Sequence, residues 1–183
     1  MKENRIILGI DPGTTIMGYG LIRVVTRQPC LMTLGYIELY KLKTHYEKLQ
    51  RIFERTLMLI DEYQPDELAI ESPFYGNNVQ SMLKLGRAQG TAISAALYRK
   101  LPIYEYAPRK IKQSITGQGN ASKEQVARLL QKILKIKDIP QNLDATDGLA
   151  VAMCHFYQNE NLNVKEGFKS WKDYLRKNPD RIK

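Results

Sequence analysis

Residues Arg5 to Asp11 form an apolar run of strand length that ends on a carboxylate and is stopped by Pro12-Gly13. Met17 to Val25 alternates loosely around Gly18 and Gly20, and Cys30 to Tyr40 follows the turn-like Arg27-Gln28-Pro29. Connections of hairpin length predict that these three strands pair antiparallel. The period then changes. Leu49, Ile52, Phe53, Leu57 and Ile60 recur at helical spacing with Lys48, Arg51, Glu54 and Arg55 between them, an amphipathic helix that Pro65 ends. Glu67 to Glu71 (ELAIE) reads as a short buried strand closed by Pro73. A second helix is predicted from about Asn78 to Lys100, with Val79, Met82, Leu83, Ile93 and Leu97 as its apolar face. Gly86 and Gly90, four apart along it, allow close backbone approach, either to a second copy of the chain or to its own sheet.

Ile103 to Tyr106, between Pro102 and Pro108, supplies a fifth strand. Ser122 is a candidate N-cap for a helix running to Lys135, with Val126, Leu129, Leu130, Ile133 and Leu134 as its apolar face. A last helix begins near Asp144 and continues through Ala150, Val151 and Phe156. The order β-β-β-α-β-α-β-α-α describes an α/β domain, a five-stranded mixed sheet flanked by helices. After Tyr157 the character shifts: Asn159 to Lys183 holds seven basic and four acidic residues with Phe168, Trp171 and Tyr174. The expected organisation is one domain over 1–158 and a basic C-terminal tail over 159–183 to which no role attaches.

Charge narrows the function classes. The chain has 183 residues, 28 Lys+Arg, 19 Asp+Glu and a formal net charge of +9. The excess is local, since Arg109 to Lys137 carries Arg109, Lys110, Lys112, Lys123, Arg128, Lys132, Lys135 and Lys137 against Glu124 alone. Such a stretch is either a solvated helix face or a surface for a polyanion. The polar turn Gly117-Gln118-Gly119-Asn120-Ala121-Ser122 within it offers backbone N–H groups to phosphates, which favours nucleic acid. Cys30 and Cys154 allow at most one bridge, and Met1-Lys2-Glu3-Asn4 lacks a signal-peptide layout. No apolar run approaches the roughly 20 residues that span a bilayer. A reduced cytoplasmic protein without a membrane is therefore expected.

Four carboxylates stand where chemistry is done. Asp11 and Glu71 each end an apolar strand just before a proline, at the sheet edge where open α/β sheets bind ligands. Asp144 and Asp147, three apart at a helix start, share one face. Taken singly, Asp11 is also a fair turn residue, Glu71 a fair strand-end charge, and both helix aspartates favourable to the dipole. Together they make a hard-oxygen set suited to Mg²⁺ or Mn²⁺ rather than Zn²⁺, and a pair of such ions about 3.5–4 Å apart can drive phosphodiester hydrolysis. His155 lies eight residues beyond Asp147, about 12 Å along the axis, and reads as structural. Neither His45 nor either cysteine has a partner at metal-ligand spacing.

Several segments are recognisable. Ile7-Leu8-Gly9-Ile10-Asp11-Pro12-Gly13, Gly18-Tyr19-Gly20, Ala69-Ile70-Glu71, Leu85-Gly86-Arg87-Ala88-Gln89-Gly90, Ala121-Ser122-Lys123-Glu124-Gln125-Val126 and Asp144-Ala145-Thr146-Asp147-Gly148-Leu149-Ala150 follow one another. In order and spacing, from residue 5 to about 158, the chain resembles the RuvC family of Holliday-junction resolvases. The resemblance implies a ribonuclease-H-like fold and a homodimer that cuts two symmetry-related strands of four-way junction DNA during recombination and repair. It implies a Mg²⁺ cofactor, two ions per site with Mn²⁺ able to substitute, held by Asp11, Glu71, Asp144 and Asp147, and the RuvA-RuvB branch-migration complex as partner. Lys112 and Lys123 resemble the family's basic residues beside the scissile phosphate, and Phe74 its aromatic set against junction bases. Arg87, Arg109 and Lys110 are further candidates for DNA contact. Two other classes stay open: a non-catalytic four-way-junction-binding module, and an actin/Hsp70-like ATPase fragment suggested by the Asp11-Pro12-Gly13-Thr14-Thr15 loop.

Overall fold

The computed structural model describes residues 4–73, 78–137 and 142–164, with side chains as far as 159. Three strands, β1 (Asn4–Asp11), β2 (Ile16–Val25) and β3 (Gln28–Glu38), come first. Helix α1 (His45–Tyr63), strand β4 (Glu67–Glu71), helix α2 (Val79–Tyr98) and strand β5 (Ile103–Tyr106) follow. The chain continues through α3 (Pro108–Thr116), α4 (Lys123–Leu134) and α5 (Asp144–Val164). The sheet runs β3-β2-β1-β4-β5. Pairing is antiparallel from β3 to β1 and parallel from β1 to β5, as the hairpin-length and helix-length connections require.

Two features depart from the sequence reading. The β2–β3 turn is Thr26-Arg27, both at positive φ, with Val25 paired to Gln28. This is a two-residue hairpin loop without the usual glycine. The strand therefore starts two residues before Cys30 and takes in Pro29, which is tolerated because β3 is an edge strand. Helix α3 was not among the elements predicted. It is short and polar, with Pro108 at its start, Gly117 at φ +77° as its cap and only Ile111 fully buried. The proline-first, glycine-last frame with Ile111 and Ile115 four apart is the signal that identifies it.

Helices α1 and α2 cover one face of the sheet, and α3, α4 and α5 the other. The sequence left open whether the large apolar face of α2 meets its own sheet or a second copy, and in the structure only Ile93 of that face packs on the core. Ala88, Gln89, Ala92, Ala95 and Ala96 are buried, whereas Val79, Leu83 and Leu97 are exposed. The helix approaches the sheet mainly through its alanines. On the other face α5 lies almost on the backbone of β1 and β2. A Cβ at Gly20 would stand 2.5 Å from Leu149 Cα, and one at Gly148 would meet the Tyr19 backbone.

Beneath α5, His155 is fully buried. Its Nε2 lies 2.8 Å from Glu67 Oε2 and its Nδ1 2.6 Å from the Tyr106 hydroxyl. Burial pushes the Tyr106 hydroxyl up to about 12, so it remains a donor, and the His155 bond holds Glu67 below the usual glutamate range. His155 is structural, as its spacing from Asp147 suggests. A depressed carboxylate contributes stability above its unfolded pKa and loses it as pH falls through the folded value. Glu67→Gln should therefore cost about 1.5–3 kcal/mol in urea unfolding at neutral pH. The gap to wild type should narrow on acidification, and one unchanged down to about pH 3 would contradict the assignment.

Candidate active site

Asp11 and Glu71 end neighbouring parallel strands. Ile10 pairs with Ile70, which sets the two acids side by side at one sheet edge. The close seat of α5 brings Asp144 and Asp147, in its first turn, to the same edge. A cleft of about 670 Å³ opens there, lined by Asp11, Glu71 and Asp147 on one side. Arg109 and Lys112 of α3, Asn120 of the following turn and Lys123 at the start of α4 form the other. Capping explains the position of Lys123, because the Ser122 hydroxyl accepts from Gln125 N and the Gln125 side-chain oxygen accepts from Ser122 N, fixing the start of α4.

The electrostatics of the cleft are strained by like charge. Burial, then Asp147 and Asp144, push the Asp11 carboxyl well above the usual range while Lys123 opposes. Burial, then Asp11 and Asp147, do the same to Glu71 against Lys123 and Lys112. Asp147 is raised by burial and eased by the bond from Lys123. Lys123 Nζ donates to Asp144 Oδ1 at 3.1 Å and Asp147 Oδ2 at 2.5 Å. Burial disfavours its charge, yet those bonds push its pKa up. Among the described residues no three acidic, histidine or cysteine side chains enclose a single point as they stand. The carboxylates lining the cleft are nevertheless all hard oxygen donors, the chemistry a hard divalent cation takes.

The structure sorts the predicted residues. Asp11, Glu71, Asp147, Arg109, Lys112 and Lys123 line the cleft, and Asp144 joins them through Lys123. Lys110 is exposed on α3 and is not among the lining residues. Arg87 is exposed on α2, across the sheet, where its charge acts on His45 of α1. Phe74 lies outside the described residues, as does most of the predicted tail. The sequence reading did not single out Asn120 by itself, although the Gly-rich turn that carries it was marked as a phosphate neighbour. Cys30 and Cys154 are free thiols outside the cleft.

A family model described as crossover junction endodeoxyribonuclease RuvC matches residues 7–155. The chain is 57% identical to the crossover junction endodeoxyribonuclease RuvC of Christiangramia forsetii, over 100% of this chain and 95% of that protein. It is 58% identical to the one from Bacteroides fragilis, over 99% and 97%. Thermus thermophilus RuvC, solved in complex with a Holliday junction substrate, superposes with a TM-score of 0.78 at 31% identity. That match covers 86% of this chain and 96% of the other. The architecture is accordingly ribonuclease-H-like.

Lys123 bonds both Asp144 and Asp147, so a cation held by those two carboxylates would have to compete with it. Lys123→Met should bind Mn²⁺ more tightly than wild type in DNA-free protein, by about fivefold for the loss of about 1 kcal/mol of competing ion pair. Electron paramagnetic resonance of free Mn²⁺ reads this directly, and weaker binding by the variant would contradict it.

Proposed function

The chain belongs to the RuvC family of crossover junction endodeoxyribonucleases, and from that premise we propose that it resolves four-way junction DNA by paired, metal-dependent phosphodiester hydrolysis in recombination and repair. One observation carries the reading. Four carboxylates from two strand ends and one helix start meet at a single cleft whose opposite wall is cationic. A backbone phosphate entering between the walls is drawn to Arg109, Lys112 and Lys123, and its scissile bond then faces the acids. Asp11, Glu71, Asp144 and Asp147 would hold Mg²⁺, two ions with Mn²⁺ as a substitute. When bound, such ions generate the nucleophile from water and stabilise the leaving oxygen. Lys112 and Lys123 add charge stabilisation as the phosphorane-like transition state develops. In this reading Phe74 stacks on unpaired bases at the junction centre.

The substrate's two-fold symmetry calls for two copies of the cleft. Helix α2 is the candidate contact, because Val79, Leu83 and Leu97 are exposed on it and a Cβ at Gly86 or Gly90 would meet nothing within 4 Å. Exposed apolar side chains beside bare backbone suit a two-fold helix pair. The RuvA-RuvB branch-migration complex is the partner that membership suggests. No helix among the described residues is long and apolar enough to cross a membrane.

Two experiments test these assignments. Asp11→Asn should abolish cleavage of a mobile junction in Mg²⁺ while binding it with unchanged affinity in Ca²⁺, since phosphate contacts come from the lysines. Wild-type turnover by the variant would refute the site, and junction binding with no cleavage by the wild-type protein would favour the non-catalytic module. Gly90→Leu should sediment as a monomer with its fold intact. A folded variant that remains dimeric would move the interface off α2.

A further inference from the structure

Gln89 is the polar residue among the buried positions of α2, in the company of Ala88, Ala92, Ala95 and Ala96. An amide in such surroundings costs free energy unless its N–H groups are used. Here both are. Gln89 Nε2 donates to Glu105 Oε2 at 2.8 Å and to the Glu71 carbonyl at 3.3 Å. Leucine has a similar volume and would fill the place without that cost, so packing alone does not call for an amide.

The bond falls where the strand runs out of other anchors. Ser72 N still donates to Tyr106 O at 2.9 Å, but the next residue is Pro73, which has no N–H to give. Glu71 directs its side chain into the cleft between β4 and the helices of the opposite layer, while Gln89 grips its backbone from the α2 side. The strand end also lies directly beside that of β1, which carries Asp11.

We propose that Gln89 is a positioning residue for Glu71: its amide ties the end of β4 to Glu105 of β5 from behind the sheet and so sets the distance between the Glu71 and Asp11 carboxylates. The proposal rests on the reading of Glu71 as part of the metal-holding set. Without the tie the strand end relaxes away from Asp11, and the pair no longer presents its oxygens to one cation. Partners behind a ligand commonly govern metal affinity by 10–100-fold in this way.

The test compares Gln89→Leu, Gln89→Arg, Glu105→Ala and Glu71→Gln in the full chain. It uses Mn²⁺ binding without DNA, junction affinity in Ca²⁺, and single-turnover cleavage across a Mg²⁺ series. Gln89→Leu should bind Mn²⁺ about tenfold more weakly and half-saturate at correspondingly higher Mg²⁺, with junction affinity within about twofold of wild type. Gln89→Arg keeps N–H donors for both acceptors and should recover most of the loss. Should Gln89→Leu fail to fold, Glu105→Ala removes the other anchor from an exposed position and must show the same metal shift. Wild-type Mn²⁺ affinity in the folded variants overturns the proposal. A lower rate with unchanged metal dependence does so too, since it marks Gln89 as a packing residue. Full cleavage by Glu71→Gln overturns the assignment of Glu71 and the tie with it, whereas an inactive Glu71→Gln beside a normal Gln89→Leu overturns the tie alone.

Discussion

The seating of α5 on the backbone of β1 and β2 is the contact on which the site depends. Gly9, Gly18 and Gly20 face the first turns of that helix, and Gly148 faces Tyr19 in return. Any side chain at these points would lift α5 by the thickness of a methyl group or more, and would carry Asp144 and Asp147 away from Asp11. The strand glycines weaken β1 and β2, a cost of about 0.5–1 kcal/mol each. The helix on top of them offsets it by burying Leu149, Val151, Ala152 and Met153 against the sheet. Stability and function thus meet in one contact, since the same closeness makes the core dense and the carboxylates converge.

Convergence creates an electrostatic problem that the opposite wall answers in part. Asp11 and Glu71 are forced upward in pKa by burial first and by neighbouring carboxylates second. Lys123 and Lys112 oppose this from helices whose positions depend on short-range devices: a capping box at Ser122, and a proline start with a glycine stop for α3. The lysines compensate without neutralising the cluster. What remains is a cleft with carboxylates and basic side chains brought together, which is the arrangement that the proposed metal-assisted strand cleavage would draw on.

Helix α2 serves two surfaces at once. Its alanine face lets it approach the sheet closely, and the amide of Gln89 within that face reaches the backbone of Glu71. Its other side leaves Leu83, Leu97, Gly86 and Gly90 uncovered. A helix with large apolar residues outward and small ones inward inverts the pattern from which burial is usually read.

The five strands, the four longer helices and the four carboxylates were legible from the sequence because each depends on local signals. Apolar runs stopped by proline mark β1 and β4, period marks α1 and α4, and a charge at the end of an apolar run marks Asp11 and Glu71. The grouping of those acids with Lys112 and Lys123 followed from the resemblance to the family, not from spacing. What the sequence left undetermined depends on distances between segments far apart in the chain. The inward face of α2 is set by how closely it packs on the sheet, which alanine spacing does not declare. Arg87 shares a motif with Gln89, yet faces solvent where Gln89 faces the sheet, because a helical step of two residues turns a side chain by more than half a circle. Helix α3 is too short for its period to stand out, and it is held by Ile111 and Ile115 against the α4–α5 core rather than by its own propensity. The sequence by itself determined which groups are present and, helix α3 aside, which elements carry them. Only the tertiary structure decided which of them face one another, because burial, charge coupling and the hydrogen bond from Gln89 to Glu71 exist only once the layers have closed.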